Sequence, residues 1–218
     1  MAFTLPRLYP IVDTTVCERL QLSPEDLAAA YLDAGVEILQ FRHKGPYLRP
    51  VFSIAERLAE MCRKANVPYV INDRADIAAI LGAALHLGQD DLTPELARTV
   101  TGDQTVIGFS THNEEQFAAA SADRAVTYLA IGPIFETSSK LNPDPVVGLS
   151  RLRAIASTKH HPLVAIGGIT LDTAPAVYAA GADSIAVINA LIPAGNPTLE
   201  AIQNTTLEWL KVLPERAR

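Results

Sequence analysis

Residues 180–189 read Ala-Gly-Ala-Asp-Ser-Ile-Ala-Val-Ile-Asn. Ala180-Gly181 has the form of a helix stop, with glycine just past the last turn. After a short polar step the chain enters an unbroken apolar run, which ends on a polar residue, Asn189. A strand that is apolar at every position is buried on both faces, as in a parallel sheet covered by helices. The unit recurs in Ala34-Gly35-Val36-Glu37-Ile38 and in Leu81-Gly82-Ala83-Ala84-Leu85. Each ends a helix and launches a strand.

Outward from 184–188, seven more short runs, uncharged but for Glu37, read as strands: 8–12, 36–41, 68–71, 84–87, 105–110, 126–131 and 162–166. Helix signals lie between them. Ser23-Pro24-Glu25-Asp26 offers an N-cap, a first-turn proline and acids near the positive helix end. Thr93-Pro94-Glu95 repeats that pattern, Asn113-Glu114-Glu115 is another start, and Gly148-Leu149-Ser150 opens one more. A last helix is expected near 197–212. The chain thus alternates strand and helix eight times, with no compositional break, and reads as one domain over residues 1–218 with its core at about 8–212. Eight such units in 218 residues fit an α/β fold, the (β/α)8 TIM barrel. An open doubly wound sheet shares the pattern and is the structural alternative.

Composition narrows the function classes. The chain is 49% hydrophobic and 19% charged, enough apolar content for a sizeable core and against global disorder. A formal charge of −6 lacks the basic footprint of a nucleic-acid-binding domain, while a few local cations still suffice for an anionic substrate. Two cysteines, Cys17 and Cys62, make neither a disulfide framework nor a zinc quartet; reduced thiols in a cytoplasm are the plain reading. Residues 1–10 lack the layout of a signal peptide, and no apolar run is long enough to span a membrane. Oligomeric state leaves no mark in the sequence.

Both candidate folds bind ligands at the carboxyl ends of their strands. After the second run comes Gln40-Phe41-Arg42-His43-Lys44. Alternation puts Gln40, Arg42 and Lys44 on one side and Phe41 and His43 on the other. Two cations and an amide on one patch suit an anion such as phosphate; a solvated charged loop is the other reading. After the third run Asn72-Asp73-Arg74 either presents a carboxylate or caps a helix over 74–81. Gly88-Gln89-Asp90-Asp91 follows the fourth run as a ligand set or as ordinary loop charge. Carboxylates from neighbouring strands beside the cations suit Mg²⁺, which takes one or two carboxylates plus substrate phosphates.

Ser110-Thr111-His112 follows the fifth run, with hydroxyls that either meet a phosphate or cap the next helix. His86, inside the fourth run, reads as a core or near-core histidine. The segment 136–148 exceeds the usual two to six residues of such loops and carries Thr137-Ser138-Ser139-Lys140, a candidate lid over a phosphate. Gly167-Gly168 after the seventh run and Asn189 after the eighth stand where TIM barrels cradle phosphate. Two anion sites follow, one metal-assisted and one metal-free, as two phosphorylated substrates joined at the barrel mouth require.

These residues resemble the thiamine-phosphate synthase family over nearly the whole chain. The resemblance is carried, in order, by Gln40-x-Arg42-x-Lys44, Ile71-Asn72-Asp73-Arg74, His86-Leu87-Gly88-Gln89-x-Asp91-Leu92, Gly108-x-Ser110-Thr111-His112, Gly132-Pro133-Ile134-Phe135-x-Thr137, Lys140, Ala165-Ile166-Gly167-Gly168-Ile169 and Gly181-Ala182-Asp183. It implies a transferase barrel that joins 4-amino-2-methyl-5-hydroxymethylpyrimidine diphosphate to a thiazole phosphate with the help of Mg²⁺. It further implies that Gln40, Arg42, Lys44 and Asn72 hold the pyrimidine diphosphate, that Ser110 and Lys140 complete that site, and that Asp73 and Asp91 bind the metal. Thr137, Ser139, Gly168, Ile188 and Asn189 are implied for the thiazole phosphate. Arg42, Lys44 and Lys140 are the expected catalytic cations. This chain has Ser139 where the family often has threonine, and Asn189 where it often has serine. The rival readings are a thiazole tautomerase relative, which by resemblance carries a histidine in place of Pro133, and a barrel that only binds a phosphorylated ligand.

Overall fold

The computed structural model describes residues 4–137, 144–195 and 197–213. Eight strands run in chain order around a closed barrel: β1 (Leu8–Asp13), β2 (Leu39–Arg42), β3 (Tyr69–Asn72), β4 (Ala84–Leu87), β5 (Ile107–Thr111), β6 (Tyr128–Ile131), β7 (Leu163–Ile166) and β8 (Ser184–Val187). Each pairs in parallel with the next, and β8 pairs with β1 through Leu8 opposite Ile185 and Pro10 opposite Val187. That last pairing excludes the open sheet.

Helices follow the strands: α1 (Thr14–Leu20), α2 (Pro24–Asp33), α3 (Arg49–Ala65), α4 (Ala75–Leu81), α5 (Pro94–Thr101), α6 (Glu114–Ser121), α7 (Gly148–Ser157), α8 (Ala174–Ala179) and α9 (Leu199–Val212). The sequence caps behave as their chemistry requires. Ser23, Thr93 and Asn113 accept from the amides of Asp26, Leu96 and Gln116 at 2.8–3.3 Å, and Thr198, not singled out in the sequence, caps α9 through the Ala201 amide at 3.1 Å. Gly148 opens α7 at φ 75° without a side-chain cap.

Two apolar layers hold the barrel. The larger lies between strands and helices, and includes Leu39, Phe41, Ile71, Leu85, Leu87 and Leu129. The smaller fills the lumen with Tyr9, Ile11, Val70, Tyr128, Val164 and Ala186. Strand residues thus alternate between lumen and helix layer, which explains the unbroken apolar runs.

The structure departs from the sequence reading in three places. β2 begins at Leu39, not near 36, because the Val36 amide still bonds back to the Tyr31 carbonyl and ladder contact starts only at Leu39. α1 is an added helix between β1 and α2, capped when Asp13 Oδ1 accepts from the Val16 amide at 3.1 Å. α4 starts at Ala75, and no side chain caps it. Asp73 is therefore not a helix cap.

Candidate active site

The carboxyl ends of the strands open into a cavity of about 920 Å³. Gln40, Arg42 and Lys44 all line it, whereas Phe41 belongs to the helix layer and His43 turns to bond Thr14 at 2.8 Å. The alternation expected along β2 thus continues past its last residue. Asn72, Asp73, Asp91 and Ser110 line the same cavity, as do Thr137, Gly168, Ile188 and Asn189. Ser139 and Lys140 lie outside the described residues.

The rim over β2–β4 is a chain of opposed charges. Arg42 is ion-paired to Asp13, which sits opposite it in the β1–β2 register and is 3% exposed. Lys44 Nζ donates to Asp73 Oδ2 at 2.6 Å. Asp91 Oδ2 accepts from the Gly88 amide at 2.7 Å, and the Asp91 and Asp73 carboxyls stand close enough to share a proton. Asp73 holds φ at 66°, a left-handed backbone that aspartate tolerates better than most residues. Its own amide bonds the His86 carbonyl at 2.8 Å and Arg74's amide bonds the Asn72 carbonyl at 2.8 Å, which pins this turn. Burial, and after it the hydrogen bond with Asp91, push the Asp73 carboxyl up to about 6 against the downward pull of Lys44.

Two carboxyls held together and partly desolvated are the donor set a hard cation wants. Among the described residues no group of three or more His, Cys, Asp or Glu side chains gathers around a metal position. A pair alone suits Mg²⁺, which leaves most of its sphere to phosphate oxygens and water. The buried Asn72 Nδ2 has no protein acceptor, a donor fit for an oxyanion in the cavity.

The opposite rim is built from backbone. Gly167 and Gly168 adopt φ of 100° and 66°. A Cβ on Gly168 would stand 2.3 Å from the Glu136 carbonyl oxygen, so glycine here admits the loop after β6. Asn189 Oδ1 accepts from Arg19 Nη2 on α1 at 3.0 Å. His112 lines the cavity and places Nδ1 2.7 Å from the Gly132 carbonyl oxygen, so this nitrogen carries the proton. Thr111 is committed to the Ala130 carbonyl and Asn113 caps α6, so neither Ser110 nor Thr111 serves as that cap.

The lumen below the cavity holds a polar series that the sequence reading did not find. Gln40 Nε2 donates to the Tyr9 hydroxyl at 2.9 Å, and Tyr9 meets the Tyr128 hydroxyl at 2.8 Å. Tyr128 lies 3.0 Å from His86 Nδ1, and His86 Nε2 lies 2.8 Å from Ser110 Oγ. Both tyrosines sit in runs that look simply apolar, though a buried phenol signals a needed partner. Asp13 was also missed; it is the polar residue closing β1, the same signal that singled out Asn72-Asp73. His86 is near-core as expected, and burial holds its imidazole down to about 4.

Comparison with known proteins agrees with this geometry. Residues 8–191 match the family model described as thiamine monophosphate synthase. A thiamine-phosphate synthase of Koribacter versatilis is 48% identical over 192 residues, covering 86% of this chain and 90% of the relative. That of Acidothermus cellulolyticus is 40% identical, covering 90% and 92%. The solved thiamine phosphate pyrophosphorylase of Pyrococcus furiosus superposes with a TM-score of 0.80 at 30% identity over 94% of each chain. With its matching family model, close relatives and barrel geometry, the chain belongs to the thiamine monophosphate synthase family.

Proposed function

We propose that this thiamine-phosphate synthase, a transferase, couples 4-amino-2-methyl-5-hydroxymethylpyrimidine diphosphate with a thiazole phosphate at the mouth of its barrel. The observation that carries this reading is the Asp73–Asp91 carboxyl pair set beside Arg42 and Lys44 on one rim, with the glycine-built rim facing it across one cavity. Two phosphorylated ligands and one leaving diphosphate need that division.

In this reading the pyrimidine ring enters the lumen side at Gln40, and its diphosphate lies across Arg42, Lys44, Asn72 and Ser110. Asp73 and Asp91 would hold Mg²⁺, which supplies charge neutralisation on the departing diphosphate. Arg42, Lys44 and, from its sequence position, Lys140 stabilise the negative charge that develops as the C–O bond breaks. The aminopyrimidine delocalises the methylene cation left behind, so no protein nucleophile is required. Thr137, Ser139, Gly168, Ile188 and Asn189 hold the thiazole phosphate so that the ring nitrogen faces that carbon. Arg42 stays fixed by Asp13 throughout, which spares reorganisation at the moment of charge separation.

No described helix is long and apolar enough to cross a membrane, and the two free cysteines, both buried, support a cytoplasmic setting. The tautomerase reading needs a proton-transfer group at position 133, where Pro133 lines the cavity and offers none.

A coupling assay tests the proposal. The two precursors are mixed with the protein, with and without Mg²⁺, and diphosphate release is followed. Metal-dependent release matched by thiamine phosphate is expected. Isomerised thiazole with no diphosphate, or tight product binding with no turnover, would overturn it.

A further inference from the structure

The lumen series has a direction, and Gln40 sets it. An amide NH2 only donates, so the Tyr9 oxygen accepts from Gln40 Nε2 at 2.9 Å. Tyr9 has one proton of its own, and the Tyr128 oxygen 2.8 Å away takes it. The Tyr128 proton then points to His86 Nδ1, 3.0 Å off. His86 is buried and both its ring nitrogens meet hydroxyls, an environment that favours the neutral imidazole. A neutral imidazole that accepts at Nδ1 carries its proton on Nε2, and so donates to Ser110 Oγ at 2.8 Å. The Ser110 proton is left for the cavity, which Ser110 lines.

The chain is built for this passage. β5 carries Gly108 where a Cβ would stand 2.1 Å from the Tyr128 ring, so the sequence gives up a side chain to admit that phenol. Tyr9, Gln40 and Tyr128 are buried to within 2%, and each side chain in the series bonds the next, which makes its polarity a cooperative property.

We propose that Tyr9, Tyr128 and His86 are positioning residues that lock the Gln40 amide and the Ser110 hydroxyl into opposite senses, so that one substrate must present an amine at Gln40 and an oxyanion at Ser110. With Nε2 turned inward to Tyr9, Gln40 offers Oε1 to the cavity, an acceptor for an exocyclic amine. A ring with an oxo group at that place would require the amide to flip. Tyr9 would then donate to Gln40, every proton in the series would reverse, and Ser110 would turn its proton inward to His86 and face the oxyanion with lone pairs. Discrimination between amino and oxo rings is therefore shared by residues that touch neither. The inference rests on the proposed pyrimidine diphosphate reading for its ligand, but the direction itself belongs to the free protein.

The experiment has two arms. In the ligand-free full chain, ¹⁵N NMR of the His86 ring is expected to show a bare Nδ1 and a protonated Nε2. The Tyr128→Phe variant, which keeps the ring and loses the hydroxyl, is expected to mix or reverse that tautomer. A protonated Nδ1 in the wild type overturns the relay, whatever the enzyme does. In the second arm, kcat/KM is measured with the amino substrate and its oxo analogue. A hydrogen bond to a charged group makes a difference of roughly 10- to 100-fold, so Tyr128→Phe should lose about that factor on the amino substrate and lower the amino-over-oxo preference. In a Ser110→Ala background the same substitution should cost almost nothing more. An equal cost in both backgrounds, or an unchanged preference, overturns the coupling. Wild-type protein that shows the expected tautomer but turns over neither ring refutes the proposed reaction and the ligand half of this inference together, while leaving the direction of the series intact.

Discussion

The rim over β2–β4 and the rim over β7–β8 do opposite things with the same strand ends. The first packs charged side chains: Arg42 against Asp13, Lys44 against Asp73, and the Asp91 carboxyl crowded beside that of Asp73. The second offers little but backbone and small polar groups, at Gly167, Gly168 and Asn189. Charge that changes during a reaction needs fixed opposite charge nearby. A phosphate that only has to be held can be met by amides and hydroxyls. The division predicts that substitutions on the first rim fall on turnover and those on the second fall on binding.

The largest effect is expected from Asp73→Ala. Loss of one preorganised electrostatic contact costs about 2.7–4 kcal/mol in the transition state, roughly 10²–10³ in rate. Diphosphate release should fall by that factor, and excess Mg²⁺ should not restore it. Wild-type rates would erase the distinction between the rims.

Gly168→Ala probes the other side. The added methyl meets the Glu136 carbonyl and the backbone stays at positive φ, so strain of about 1–3 kcal/mol is expected. Titration of the thiazole phosphate should show a raised KM, with kcat within a few-fold of wild type. A collapse of kcat at saturating substrate would place chemistry on this rim as well.

A third test uses stability instead of rate. Asp73 is held up at about 6 against an ordinary 3.8, so its contribution is most favourable below pH 3.8, where it is protonated in both states. That contribution is lost as pH rises through about 6. In chelator, Asp73→Asn should therefore stabilise the fold at pH 7–8 by on the order of 2 kcal/mol, read as a higher Tm. The gain should vanish towards pH 4. A variant less stable than wild type at pH 8 would mean that the Lys44 pair outweighs the crowding with Asp91.

The smallest effect is expected at Asn189. Arg19 donates to its oxygen, and Asn189→Ser removes that reach while keeping a polar group. A KM change for the thiazole phosphate worth less than about 1 kcal/mol is expected, in line with an exposed hydrogen bond. A larger change would make Arg19 part of the binding rim.

Much of this was legible in the residues because burial on both sheet faces leaves unbroken apolar runs, and because caps and glycine stops are local chemistry. The cluster around Gln40, Arg42 and Lys44 followed from alternation alone. What stayed hidden has a common cause: its meaning depends on partners distant in sequence. Asp73 taken alone reads equally as a cap or as a presented carboxylate, and its ion pair with Lys44, 29 residues away, is not written in either reading. Tyr9 and Tyr128 lie 119 residues apart and each reads as ordinary strand filler. Asp13 follows an apolar run no differently from a surface turn, yet it holds Arg42 and starts α1.

The pairing of β8 with β1 joins the first described strand to the last. During synthesis, Leu8 to Asp13 therefore waits for Ser184 to Val187 before its outer backbone groups find a partner. A nascent or prematurely ended chain carries two raw sheet edges, which are templates for aggregation. Synthesis must pass Val187 before the barrel can close, and a truncation before β8 that spares most of the cavity-lining residues is still expected to yield insoluble protein.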